Sequence, residues 1–270
     1  MLLKKNILIY LSLSLIAFFL IINLTKINQP QINNQAIAND TVTLTISAAT
    51  SLQNALKAIQ PKYSQLQPQV NIVYNFGASG SLQQQIEQGA PVDIFISAAI
   101  EQMAALDVKN LLLPSSRRNL LSNKIVLIVP KNSNKINSFA DLTTDALTKI
   151  ALGIPETVPV GKYAQEVLTS LGIIDAVIPK AVYGKDVQQV LNYVATENVD
   201  AGIVYLSNAK FNDQVKIVAT APEASHSPVI YPIAILKATK NPQAAKELEN
   251  YLLSPEAQNL FKQHGFIGVN

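Results

Sequence analysis

Cysteine is absent from all 270 residues, which excludes a disulfide scaffold, a thiolate metal site, an iron–sulfur cluster and a lipid anchor carried on an N-terminal cysteine. Histidine is nearly absent: His226 and His264 are too few for a His-rich metal site. Charge is scarce as well, at 14% of residues, and no run of like charge occurs. With only 10 glycines, the composition fits neither a collagen, an acidic tail nor a coiled coil. Apolar residues are abundant, at 49%. That is ample for a buried core, in one large domain or two modest ones at about 100–200 residues each.

The net charge of +3 has an address. Lys4, Lys5 and Lys26 are the only ionised side chains ahead of Asp40, and setting them aside leaves 18 basic against 18 acidic residues. Between Asn6 and Leu24 the chain is apolar or uncharged throughout. Residues 1–38 therefore read as a signal peptide or an N-terminal membrane anchor, with Ala36-Ile37-Ala38 as a small-x-small cleavage pattern. Either reading puts residues 39–270 outside the cytoplasmic membrane, in a periplasmic or other extracytoplasmic space. The Asn-, Gln- and Pro-rich stretch from Gln29 to Asp40 reads as a tether. A neutral remainder argues against nucleic acid, whose phosphates need a basic footprint.

From Thr41 onward strands and helices alternate. Alternating or continuous apolar runs predict strands at Thr41–Ile46, Val70–Tyr74, Asp93–Ile96, Ile125–Val129, Ile150–Gly153, Ala181–Tyr183, Ala201–Tyr205, Val215–Val218 and Val229–Leu236. Helical spacing predicts a helix capped by Ser51, then Leu82–Gln88, Glu101–Leu106, Gly161–Leu171, Val187–Ala195, Pro242–Tyr251 and Pro255–His264. This grammar specifies an α/β class with mostly parallel sheets covered by helices. In such folds ligands sit where strands lead into helix N-termini. Here those junctions are Ser51, Ser79-Gly80-Ser81, Pro159-Val160-Gly161 and Lys185-Asp186-Val187. Each offers unpaired N–H groups and the positive end of a helix dipole, so an anion could be gathered without formal charge.

Catalytic constellations are missing. Gly77-Ala78-Ser79-Gly80-Ser81 lacks the final glycine of a nucleophile elbow. A serine nucleophile also needs a positioned base. His226 lies in a Ser/Pro-rich connection and reads as solvated, and His264 reads as a cap on the last helix. No phosphate loop, dinucleotide fingerprint or paired carboxylates appear. A binding protein, not an enzyme, is favoured. An exported hydrolase using Ser79 is the distant alternative.

Ser47-Ala48-Ala49-Thr50-Ser51-Leu52, Phe76 to Leu82 and Gln85 to Ala98 resemble the periplasmic molybdate-binding component of ABC transporters. The likeness continues through Leu120 to Asn123, Val158 to Ala164, Lys185 to Val187, Gly202 to Tyr205, His226, Tyr231-Pro232 and His264 to Phe266. It implies a two-lobed periplasmic-binding-protein type II fold with the ligand in the cleft. Residues 41–124 and 230–270 would form lobe I, and 125–229 lobe II. It also implies that molybdate or tungstate is the ligand, with no other cofactor. The partners would be the permease and ATPase subunits, and the protein a monomer.

By motif position, the contacts to the metal oxyanion would be Ser51 and Ser79 from the first lobe, with Val160, Val187 and Tyr205 from the second. Thr50 is a rival to Ser51, because the loop ahead of Ser51 is one residue longer than usual for the family. Blander readings exist for each: Ser51 a plain N-cap, Ser79 a turn residue, Val160 and Val187 core filler, Tyr205 a packed ring. Lys162 and Lys185 read as solvated. A shell of donors with no carboxylate suits a deprotonated tetrahedral dianion and disfavours hydrogen phosphate, whose proton would lack an acceptor. Another oxyanion, such as sulfate or phosphate, is the runner-up.

Overall fold

The computed structural model describes residues 41–269. The leader read over residues 1–38 lies outside them, as does residue 270. Strand β1 (Val42–Ala49) carries buried Leu44, Ile46 and Ala48 on alternate positions. A short 3-10 turn, Thr50–Leu52, then leads into helix α1 (Gln53–Leu66), which buries Ala55, Leu56, Ile59 and Tyr63 at helical spacing. The pattern repeats through β2 (Val70–Gly77), α2 (Ser79–Glu87), β3 (Ile94–Ile96), α3 (Ile100–Val108) and β4 (Arg118–Ser122). Next come β5 (Ile125–Pro130), β6 (Ile150–Gly153), α4 (Pro159–Ser170), α5 (Ile174–Val177), β7 (Ala181–Gly184), α6 (Val187–Ala195), β8 (Ala201–Tyr205), α7 (Leu206–Ala209) and β9 (Val215–Thr220). The chain closes with β10 (Ile230–Ile235), α8 (Pro242–Leu252), α9 (Pro255–Gln263) and β11 (Ile267–Gly268).

The strands form two sheets, in the orders β11-β4-β10-β3-β1-β2 and β7-β6-β8-β5-β9. Asn123 and Lys124 carry the chain from the first sheet to the second, and residues 221–229 carry it back. All six residues of β5 are buried, as a strand covered on both faces requires. The architecture is mixed α/β, with helices flanking both sheets.

The expectation of mostly parallel sheets needs correction. In the first sheet β1 runs parallel to β2 and β3, but β10 is antiparallel to β3 and β4, and β11 to β4. In the second, β6 is parallel to β7 and β8, but β5 is antiparallel to β8 and β9. The reason lies in the connections. Parallel neighbours need a crossover long enough for a helix. Strands β5 and β10 instead enter their sheets directly from the other sheet, with no α-helix to reverse them. Two strands went unread in the sequence, β4 and β11; their places are specified by their partners in the sheet.

Packing is tight where the helices cross the strand ends. A Cβ on Gly161 would lie 2.2 Å from the Gly153 carbonyl oxygen, so only glycine lets α4 seat on the end of β6. Beneath α2 and α3 a smaller apolar cluster around Leu82, Phe95, Met103 and Leu106 anchors those helices to the first sheet. The loops at the carboxyl ends of the strands are thereby held by rigid elements.

Candidate functional site

Loops from both sheets converge on one small cavity. Ala49, Thr50 and Ser51 line it from the end of β1, Gly77 to Ser79 from the β2–α2 junction, and Ala98 from beyond β3. Opposite them stand Val158 to Val160 at the start of α4, Asp186 and Val187 at the start of α6, and Tyr205 at the end of β8. All five residues singled out in the sequence, and Thr50, are therefore brought together.

Three helices aim their first turns at this space. Neither α2 nor α4 has a side-chain cap, so their leading N–H groups are unmet by the helix itself. In α2 the Gly80 N–H goes to the Thr157 carbonyl at 3.0 Å, which leaves the Ser79 N–H as the helix's first donor. In α4, Pro159 has no N–H and Gly161 donates to the Val158 carbonyl at 2.8 Å, leaving Val160 as the first donor. Helix α6 is capped by Asp186, whose Oδ1 accepts from Gln189 N–H at 2.9 Å, and Val187 N–H lies ahead of that bond. A valine side chain says nothing of such a role; the helix position does.

The hydroxyls complete the set. Ser79 is fully buried and its Oγ accepts from Ala98 N–H at 2.9 Å, so its own proton is free to be donated. Ser51 is not the N-cap expected from the sequence. It lies inside the 3-10 turn Thr50–Leu52, and its Oγ is 3.0 Å from the Tyr231 hydroxyl. Thr50 Oγ1 and Tyr205 Oη are buried with no hydrogen-bond partner. A buried hydroxyl left unpaired costs about 1–3 kcal/mol, and two lining one cavity call for a ligand that satisfies them. Burial also pushes the Tyr205 phenol well above its ordinary 10.0, with Tyr231 and Tyr163 close by adding to the effect, which keeps it a neutral donor.

Formal positive charge stays away. No Lys or Arg lines the cavity. Lys162 is paired with Glu101, and Lys185 is exposed. The one charged side chain on the wall is Asp186, which amends the expectation of a shell without carboxylate: the first turn of α6 needs a cap, and its carboxylate supplies one. Neither histidine lines the cavity. His226 Nδ1 lies 2.8 Å from the Ser227 carbonyl, and His264 Nδ1 2.9 Å from the Leu260 carbonyl, the second being the helix cap read from the sequence. Ser79 thus has no imidazole base beside it. Among the described residues no cluster of three or more His, Asp or Glu side chains is placed to hold a bare metal ion.

The pattern of the bacterial extracellular solute-binding proteins matches residues 44–267. The chain belongs to that family. This solute-binding protein is 47% identical over 226 residues to a Bacillus subtilis (strain 168) protein named as a candidate ABC transporter substrate-binding lipoprotein, covering 83% of this chain and 86% of that one. It is 38% identical over 232 residues to the molybdate-binding protein ModA of Escherichia coli (strain K12), covering 83% and 88%. Among solved structures, the periplasmic molybdate-binding protein of Azotobacter vinelandii superposes with a TM-score of 0.78 at 25% identity, over 84% of this chain and all of that one.

Proposed function

We propose that this solute-binding protein captures molybdate, and tungstate with it, on the outer side of the cytoplasmic membrane. It would deliver the anion to an ABC permease driven by its ATPase, without chemical turnover. The observation that carries this reading is the pair of unpartnered buried hydroxyls, Thr50 and Tyr205, on a cavity also lined by helix N-termini. The relatives named for molybdate support the choice of ligand.

The physics is a count of donors. Burying an unpaired ion costs tens of kcal/mol by ideal Born arithmetic. Each charge-assisted hydrogen bond returns about 1.5–3 kcal/mol net, so several must converge. Ser51 and Ser79 would give hydroxyl and N–H donors, Thr50 and Tyr205 hydroxyls, and Val160 and Val187 N–H groups. In this reading residues 41–124 with 230–270, and 125–229, act as two lobes that hinge about the Asn123–Lys124 and 221–229 connections. Closing them excludes water and strengthens each bond.

The small size of the cavity favours one second reading, sulfate, which shares the shape and charge of molybdate but is smaller. Calorimetric titration at neutral pH with molybdate, tungstate, sulfate and phosphate tests the proposal. Tight molybdate binding with weaker sulfate binding is expected; the reverse order would replace molybdate by sulfate.

A further inference from the structure

A chain of side-chain hydrogen bonds runs from the connection between the sheets to the cavity wall, and its direction is fixed at one end. Asn123, buried at 7% exposure between β4 and β5, accepts on Oδ1 from Lys124 N–H at 2.9 Å and from Ser207 N–H at 3.4 Å. Backbone N–H groups can only donate, so that atom is the carbonyl oxygen and the other is the NH2. Nδ2 then donates to Ser207 Oγ at 2.8 Å and to Tyr231 Oη at 3.3 Å. Tyr231 is fully buried and has one proton. With its oxygen accepting from Asn123, that proton is within reach of Ser51 Oγ, 3.0 Å away, a contact in which either oxygen can be the donor. In the arrangement in which Ser51 Oγ accepts it, the Ser51 proton is left for the cavity that this residue lines.

We propose that Asn123 and Tyr231 are positioning residues that orient the Ser51 hydroxyl as a donor, and so make the site select oxyanions that carry no proton of their own. The inference rests on the oxyanion reading above and adds to it a source of selectivity outside the cavity. Neither residue lines the cavity; each acts through Ser51. The selectivity follows from polarity. A donor meets a bare oxo group well, whereas a protonated oxygen arriving at the same point sets two hydrogens face to face. Such chains also strengthen their members by mutual polarisation.

The chain can be reversed. In Asn123→Asp both carboxylate oxygens accept, so Tyr231 turns its proton toward Asp and its oxygen accepts from Ser51. Ser51 then offers the cavity only lone pairs. A buried carboxylate also repels every dianion, but it repels molybdate and hydrogen phosphate alike, so the ratio of their affinities isolates the orientation effect.

The test is calorimetric titration of the wild type, Asn123→Asp, Tyr231→Phe, Ser51→Ala and the Ser51→Ala/Asn123→Asp double variant, each with molybdate and with phosphate in competition. The expected result is that Asn123→Asp narrows the molybdate-to-phosphate ratio by about tenfold or more, the scale of losing one charge-assisted bond. Tyr231→Phe, which introduces no charge, narrows it in the same direction. In the Ser51→Ala background the Asp substitution leaves the ratio unchanged. A ratio unaffected by Asn123→Asp and Tyr231→Phe, or an effect that persists without Ser51, overturns the inference while leaving the oxyanion site standing. A wild type that takes up no oxyanion overturns the functional reading itself. If Asn123→Asp fails to fold by circular dichroism, the cycle of Tyr231→Phe with Ser51→Ala decides the matter on the same ratio.

Discussion

Gly80 donates its N–H to the carbonyl of Thr157 at 3.0 Å, tying the first turn of a helix on the first sheet to the loop that precedes a helix on the second. A Cβ at Gly80 would lie 2.8 Å from both the Cα and the carbonyl oxygen of Thr157, backbone atoms that cannot turn aside. The two sides of the cavity meet through this contact. Gly80→Ala is expected to hold them apart and to weaken molybdate binding by about tenfold or more, an energy of roughly 1.4 kcal/mol. The chain itself should still fold, because the clash is relieved by separation. Calorimetry together with circular dichroism checks this; unchanged affinity would contradict it.

Tyr205 gives a prediction of opposite signs. Its hydroxyl is buried without a partner, so Tyr205→Phe should raise the stability of the ligand-free protein by about 1 kcal/mol. With molybdate present the same change removes a donor and should weaken binding about tenfold. Chemical denaturation with and without ligand measures both. A loss of stability in the free protein would mean that the hydroxyl is satisfied there.

Because no Lys or Arg side chain lines the cavity, affinity should respond weakly to ionic strength. Raising salt from about 0.01 to 1 M shortens the screening length from about 30 to 3 Å, yet Kd is expected to shift by less than about threefold. The Lys162–Glu101 pair is solvent-exposed, with side-chain exposures of 45% and 59%, so Glu101→Gln should change affinity little. A steep salt dependence, matched by a large effect of Lys162→Ala, would show that a cation holds the ligand.

Alkaline pH supplies a stability prediction. Burial, with Glu247 nearby, pushes the Tyr63 phenol from 10.0 up to about 12, and burial raises Tyr163, Tyr205 and Tyr231 further. The raised folded value means the unfolded chain loses its proton first. Stability should therefore be level below pH 10 and fall as pH rises from 10 through 12. Denaturant midpoints against pH measure this, and Tyr63→Phe should flatten the decline. A midpoint already falling at neutral pH would contradict it.

Much of this was legible in the sequence, and the exceptions have physical causes. Periodicity located β5 and α6 because their apolar residues face a core on fixed spacings. The helix starts around Ser79, Val160 and Val187 were reachable because such signals are local, whereas the choice of the two valines as contacts came from the family resemblance alone. The strand Arg118–Ser122 was not, since its pairing with β10 and β11 is contributed by residues far along the chain. For the same reason the antiparallel placement of β5 and β10 went unread. The partner of Ser51 was out of reach because it is Tyr231, 180 residues away in sequence, while Thr50 Oγ1 is left without a partner. Asp186 was visible as a helix start, but its place on the cavity wall follows only from how α6 packs.

The most direct test of a dianion held by neutral donors is a crystal structure grown with molybdate, with molybdenum located by its anomalous signal. The account predicts a single strong peak in the cavity between Thr50–Ser51, Ser79, Val160, Val187 and Tyr205, its oxygens about 2.7–3.1 Å from hydroxyl and N–H donors and no ammonium or guanidinium group in contact. A peak seated instead against Lys162 or Lys185, or an empty cavity in crystals of saturated protein, would contradict it.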